Sequence, residues 1–94
     1  MPFPEQTAKA FTQEGIEWLN PNQYGCYGIF RSGAWIYVGK GDIRTRLLAH
    51  LNGDNPCITR QKPTSYVAVV TANMDREEKN LISELTPICN QKVG

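Results

Sequence analysis

The stretch YGCYGIFRSGAWIYVGKG, positions 24–41, decides how this chain folds. Residues 24–30 and 34–39 are rich in aromatic and β-branched side chains and flank Arg31-Ser32-Gly33, so the segment reads as a β-hairpin. A three-residue hairpin loop needs a left-handed residue at its last position, and Gly33 stands there with no Cβ to clash. That loop pairs Phe30 with Ala34 and places Tyr27 directly across from Tyr37 on one face. A two-residue Ser32-Gly33 turn instead slips the register and sends the two rings to opposite faces.

Outward from the hairpin, Asp42 is a good N-cap for a helix carrying Ile43, Leu47, Leu48 and Leu51, with Gly53 placed to end it. Arg46 and His50 sit one turn apart on that helix, at the margin of its apolar stripe. Residues 65–71 (SYVAVVT) read as a buried strand, and 75–85 as a second helix stopping before Pro87. Residues 7–19 form a weaker helical stretch, interrupted by Gly15. Asn20-Pro21-Asn22-Gln23 and Asn52-Gly53-Asp54-Asn55-Pro56 read as loops. The fold class is mixed α/β, of the α+β kind.

Ninety-four residues, 40% hydrophobic and 20% charged, suit one domain over 1–94, with a core at 24–90 and an N-terminal helical or extended segment at 1–23. No run approaches the roughly 20 apolar residues of a membrane helix, so no membrane partner is expected. The start, MPFPEQTAKA, lacks a signal peptide's basic and apolar regions, and a cytoplasmic protein is expected. Cys26, Cys57 and Cys89 are too far apart for a zinc pair and odd in number, which reads as reduced, mostly structural thiols. The net charge is only +1, but residues 31–62 carry +4 between flanks of −2 and −1.

Glu78 is the anomaly in the second helix. Met74, Leu81, Ile82 and Leu85 form an apolar stripe and Glu78 lies in its middle. A carboxylate so placed costs several kcal/mol unless it is paired or holds a metal. An ion pair with Arg46 or Lys40 is the plain alternative. Lys40 between two glycines is not a P-loop, because the GxxxxGK[ST] spacing fails. The amides of Gly39 to Gly41 could receive one phosphate of a polymer, although for GKG taken alone a plain strand-to-helix turn is the better reading. Tyr27, Tyr37 and His50, each taken alone, suit packing. Taken together, a tyrosine pair, a lysine just after it, Arg and His one turn apart and an inward Glu converge on one sheet face.

Gly25-Cys26-Tyr27, then Tyr37-Val38-Gly39-Lys40-Gly41, then Arg46, closely resembles the two-part signature of the GIY-YIG endonucleases. The ten-residue tyrosine spacing matches, and Glu78 to Asn90 (EKNLISELTPICN) resembles that family's closing pattern, with Pro87 and Asn90 in register. Cys26 replaces the usual aliphatic residue and Gly41 the usual small one, and neither position supplies a reacting group. The resemblance implies a three-stranded antiparallel sheet flanked by helices, one divalent metal and cleavage of phosphodiester bonds. In that frame Glu78 holds Mg²⁺, with Mn²⁺ as a substitute, largely through the ion's remaining waters. Arg46 grips nonbridging oxygens and Lys40 adds a second positive charge. Tyr27 is the candidate general base, helped by metal, Lys40 and Arg46 or by sharing its proton with His50. Tyr37 orients water or phosphate, Asn90 braces the site, and Gly39, Gly41 and Arg44 complete the substrate-facing set.

The resulting expectation is a small metal-dependent endonuclease acting on DNA. Little chain remains to read base edges, so branched or damaged DNA, or a partner protein, would supply selectivity. Two alternatives stay open. One is a catalytically silent module that binds nucleic acid or protein through the same surface. The other is a purely structural or regulatory domain, in which Glu78 and Arg46 are paired and no metal binds.

Overall fold

Ser32 and Gly33 turn the central hairpin by themselves: both have positive φ, 48° and 81°, and Arg31 pairs with Ala34. This is the primed two-residue turn whose twist matches that of the flanking strands, and it corrects the expected three-residue loop. The strands are β2, Tyr24–Arg31, and β3, Ala34–Asp42, in a computed structural model that describes residues 3–90. A turn of this length would separate the two tyrosines. A bulge undoes it: Phe30 pairs with Trp35 but Ile29 with Tyr37, leaving Ile36 as the extra residue on β3. Beyond it Tyr27 faces Gly39 and Tyr37 faces Ile29, so the rings share a face as diagonal neighbours rather than as the directly opposed pair expected.

The sheet is antiparallel, and its order is β1-β4-β2-β3, with β1 at Lys9–Ala10 and β4 at Ser65–Val70. The fourth strand, β1, replaces part of the helix expected over 7–19. β4 presents an open edge, to which Lys9 and Ala10 pair opposite Tyr66 and Ser65. Only Gln13–Glu17 is left as helix α1, capped by the Thr12 side chain, which accepts from the Gly15 N–H at 3.1 Å.

Both faces of the sheet are covered. On one, Tyr27, Ile29, Ile36 and Tyr66 pack with Ile16 of α1, with Ile43 and Leu47 of α2 (Ile43–Leu51), and with Ile58 of α3 (Pro56–Gln61). On the other, Cys26, Val38 and Val67 pack with Phe3 and with Leu81 of α4 (Met74–Leu85). Asp42 caps α2 by accepting from the Thr45 N–H at 3.2 Å. Helix α3 begins inside a segment expected to be loop. Asn55 caps it from the Cys57 N–H at 3.0 Å, and Pro56 fills the first position, where no N–H is needed.

Cys57 and Cys89 form a disulfide, and Cys26 is free and buried. This corrects the reading of three reduced thiols. The start of α3 and the 3-10 turn Ile88–Asn90 bring the two Cα atoms to 5.7 Å, a proximity that a 32-residue separation does not reveal. No helix among the described residues is long and apolar enough to cross a membrane.

Candidate active site

Tyr27 sits in the middle of β2 with only 1% of its surface exposed, and its hydroxyl needs room. Gly39, directly across on β3, supplies it: a Cβ there would overlap the Tyr27 hydroxyl and press on the Tyr37 ring. The Tyr27 Oη lies 2.7 Å from Nε2 of His50, which α2 carries into the core at 2% exposure. The other ring nitrogen, Nδ1, lies 2.7 Å from Oδ1 of Asp54. Tyr37 closes the cluster, its centroid 5.1 Å edge-on from His50 and 6.4 Å from Tyr27. Arg46, one turn before His50, is exposed and reaches Asp54 at 3.8 Å.

Burial raises the pKa of Tyr27, with Tyr37 adding to the effect and Arg46 opposing it. Tyr37 is raised by burial first and by the Glu78 charge second. His50 is lowered by burial, against the pull of Asp54. A lone phenolate is therefore disfavoured here, and a neutral imidazole poised to accept a proton is favoured.

Lys40 and Glu78 belong to a second group. In the β2–β3 register Lys40 lies opposite Cys26, so it points away from the tyrosines, and α4 packs on that same far side. The expected convergence on a single face is thus corrected to two groups on either side of β3. Because β3 is the edge strand, no further strand separates them, and the Glu78 charge is felt at Tyr37. The Glu78 side chain is 22% exposed, neither inside the core nor free in water. Of the two partners weighed from sequence it lies near Lys40, at 3.8 Å, while Arg46 pairs with Asp54. Lys40 is also bonded to Asp75 in the first turn of α4. Asn90 accepts from the Val38 N–H at 2.7 Å and donates to the Val38 carbonyl at 3.0 Å, gripping β3 like one more strand residue. Gly41 lies against the Arg46 side chain. Arg44 has a buried Nε with no hydrogen-bond partner among the described residues, and no bond ties it to either group.

No family model and no curated protein matches the chain. Solved structures do. The GIY-YIG N-terminal endonuclease domain of UvrC from Thermotoga maritima, bound to magnesium as its catalytic divalent cation, superposes with a TM-score of 0.69. The two are 27% identical over 85% of this chain and 100% of that one. A tyrosine-to-phenylalanine mutant of that domain, bound to its catalytic divalent cation, gives 0.71 at 27% identity over 86% and 100%. The chain belongs to the GIY-YIG superfamily.

Two polar members of this GIY-YIG site escaped the reading of residues. Asp54 lies four residues after His50, a spacing that could have flagged it, but it falls in a stretch that reads only as loop. Asp75 lies one turn before Glu78 among several helix charges, with nothing to single it out. As for a metal, the described residues contain no group of three or more His, Cys, Asp or Glu side chains. One partly buried carboxylate, Glu78, beside Lys40 and outside any cluster of His and Cys side chains among the described residues, suits a hard cation that keeps most of its waters. The donor set of this GIY-YIG chain fits Mg²⁺ better than zinc.

Proposed function

We propose that the chain is a metal-dependent endonuclease that hydrolyses phosphodiester bonds in DNA, with residues 1–94 acting as one catalytic domain in the cytoplasm. The observation that carries this is the Tyr27–His50–Asp54 chain, buried at Tyr27 and His50 and open at Asp54, beside Tyr37 and Arg46, with the Glu78 carboxylate just across the edge strand. The likeness to a UvrC nuclease domain bound to its catalytic cation supports it.

In the proposed reaction the attacking water gives a proton to the Tyr27 oxygen as the phenolic proton passes to His50 Nε2, 2.7 Å away. The new oxygen–phosphorus bond forms while the bond to the leaving oxygen breaks. The leaving oxygen takes a proton from solvent, and His50 later returns its extra proton there. This relay never requires a free phenolate in a site where burial disfavours one. Arg46 grips nonbridging oxygens with its planar fork, Lys40 adds positive charge, and Tyr37 orients the water. Gly39 admits the Tyr27 hydroxyl and Asn90 holds β3 in place. Gly41 and Arg44 serve the flanking phosphates. A hydrated Mg²⁺ held by Glu78, with Mn²⁺ as a substitute, supplies Lewis-acid charge at the scissile phosphate when bound.

Incubation with supercoiled, linear and branched DNA in Mg²⁺, Mn²⁺ or EDTA tests the reading. Cleavage in either metal and none in EDTA is expected, and a preference for branched DNA would locate the selectivity. Salt-sensitive DNA binding without cleavage, indifferent to Mg²⁺ and to Tyr27→Phe, would point to a silent binding module instead.

A further inference from the structure

Helix α2 ends in a way that delivers one side chain to the site. Gly53 takes a φ of 89°, its N–H donates to the His50 carbonyl at 3.2 Å, and the Asp54 N–H donates to the Ala49 carbonyl at 3.2 Å. This is the reversing C-terminal cap that needs glycine at its left-handed position, and it folds the chain back over the last turn. Asp54 is thereby fixed above His50 by backbone bonds, and its carboxylate reaches His50 Nδ1 at 2.7 Å and Arg46 at 3.8 Å.

We propose that Asp54 is a positioning residue for the proton relay: by accepting the Nδ1–H of His50 it leaves Nε2 as the acceptor for the Tyr27 hydroxyl. A carboxylate only accepts, so a hydrogen bond at 2.7 Å requires the proton to sit on Nδ1. The remaining nitrogen of a neutral ring then has a lone pair, and the Tyr27 oxygen 2.7 Å from it becomes the donor. With the opposite tautomer Nε2 would donate to Tyr27 and could take no proton from it. The groups facing His50 are Tyr27 from β2, Tyr37 from β3, and Arg46 and Asp54 from α2 and its cap. Asp54 is the only anion among them, so it also balances the charge when the ring takes up a proton. Its contact with Arg46 is half-exposed and adds little energy. The inference rests on the nuclease reading for its consequence, but the tautomer itself does not.

His50 is the only histidine in the chain, so its imidazole nitrogens can be read by nitrogen-15 NMR without ambiguity and without any DNA. The wild-type protein above pH 7 is expected to show the Nδ1–H form. Asp54→Ala should move the population toward Nε2–H and lower kcat by about 10- to 100-fold with KM nearly unchanged, in line with loss of acid–base assistance. The acid limb of its pH–rate profile should shift to lower pH, because the group that raises the His50 pKa is gone. Asp54→Glu, keeping the acceptor, should recover part of the rate. An Nε2–H ring in the wild type would overturn the proposal whether or not any variant folds, and so would full activity in Asp54→Ala. If the wild type shows Nδ1–H and Asp54→Ala loses it while neither cleaves DNA, the positioning role stands and the nuclease reading fails.

Discussion

Replacing Tyr27 with phenylalanine separates the chemistry of its hydroxyl from the packing of its ring. The ring is fully buried and the change removes one oxygen, so the core around Ile29, Ile36 and Leu47 stays filled. What is lost is the partner of His50 Nε2, in a ring only 2% exposed. Leaving such an acceptor unpaired costs about 1–3 kcal/mol. For a chain of this size each kcal/mol lowers Tm by about 4–8 °C, so a fall of roughly 5–20 °C is expected. Activity should fall much further, by about 10²–10⁴-fold, because the relay has lost its first member. Single-turnover nicking of supercoiled DNA, run well below the variant's own melting temperature, reads the second effect apart from the first. A folded Tyr27→Phe protein that cleaves within a fewfold of wild type would refute the assignment of Tyr27 as the base.

Three further outcomes follow from other parts of the molecule. Gly39→Ala should lower both activity and stability, the latter by about 1–3 kcal/mol, since the added methyl must displace the Tyr27 hydroxyl or shift β3; a thermal melt and a nicking assay check both. Reducing the Cys57–Cys89 bridge opens a 32-residue loop, worth about 4 kcal/mol in the chain-entropy view, and frees the segment through which Asn90 grips Val38; melting with and without dithiothreitol should differ by more than 10 °C, with Cys57→Ser insensitive to the reductant. Because burial holds His50 below its unfolded pKa of about 6.5, the unfolded chain binds more protons just under that pH, so this residue's contribution is complete above it and is lost as pH falls through the folded value. Tm should therefore drop on acidification in the wild type and drop less in His50→Gln.

Much of this was legible in the amino-acid sequence because local chemistry and global fold agree. The aromatic, β-branched runs on either side of Ser32-Gly33 could only be a hairpin, and Asp42 before Ile43 could only be a cap. Glu78 within an apolar stripe announced a special position, and it lies at the margin of the sheet beside Lys40. What was not legible depended on contacts far apart in the chain or on compensating local errors. The turn is one residue shorter than expected and the bulge at Ile36 adds one back, so the tyrosines share a face for a reason no single window contains. Cys57 and Cys89, and the pairing of Lys9 and Ala10 with β4, are products of tertiary proximity. Asp54 was hidden because a glycine-ended helix, rather than a periodic pattern, carries it back to His50. Lys40 and Glu78 were placed with the tyrosines because which strand lies at the sheet edge is a property of strand order, not of any local window.

In the proposed nuclease the two sides of β3 work together around one hard cation held by Glu78. Titration of Mg²⁺ into wild-type and Glu78→Gln protein by calorimetry, paired with nicking of supercoiled DNA by the same samples, addresses it directly. Mg²⁺ binding and cleavage are expected in the wild type, with loss of both in a Glu78→Gln protein whose melting curve is intact. Undiminished Mg²⁺-dependent cleavage by folded Glu78→Gln would contradict that role of Glu78.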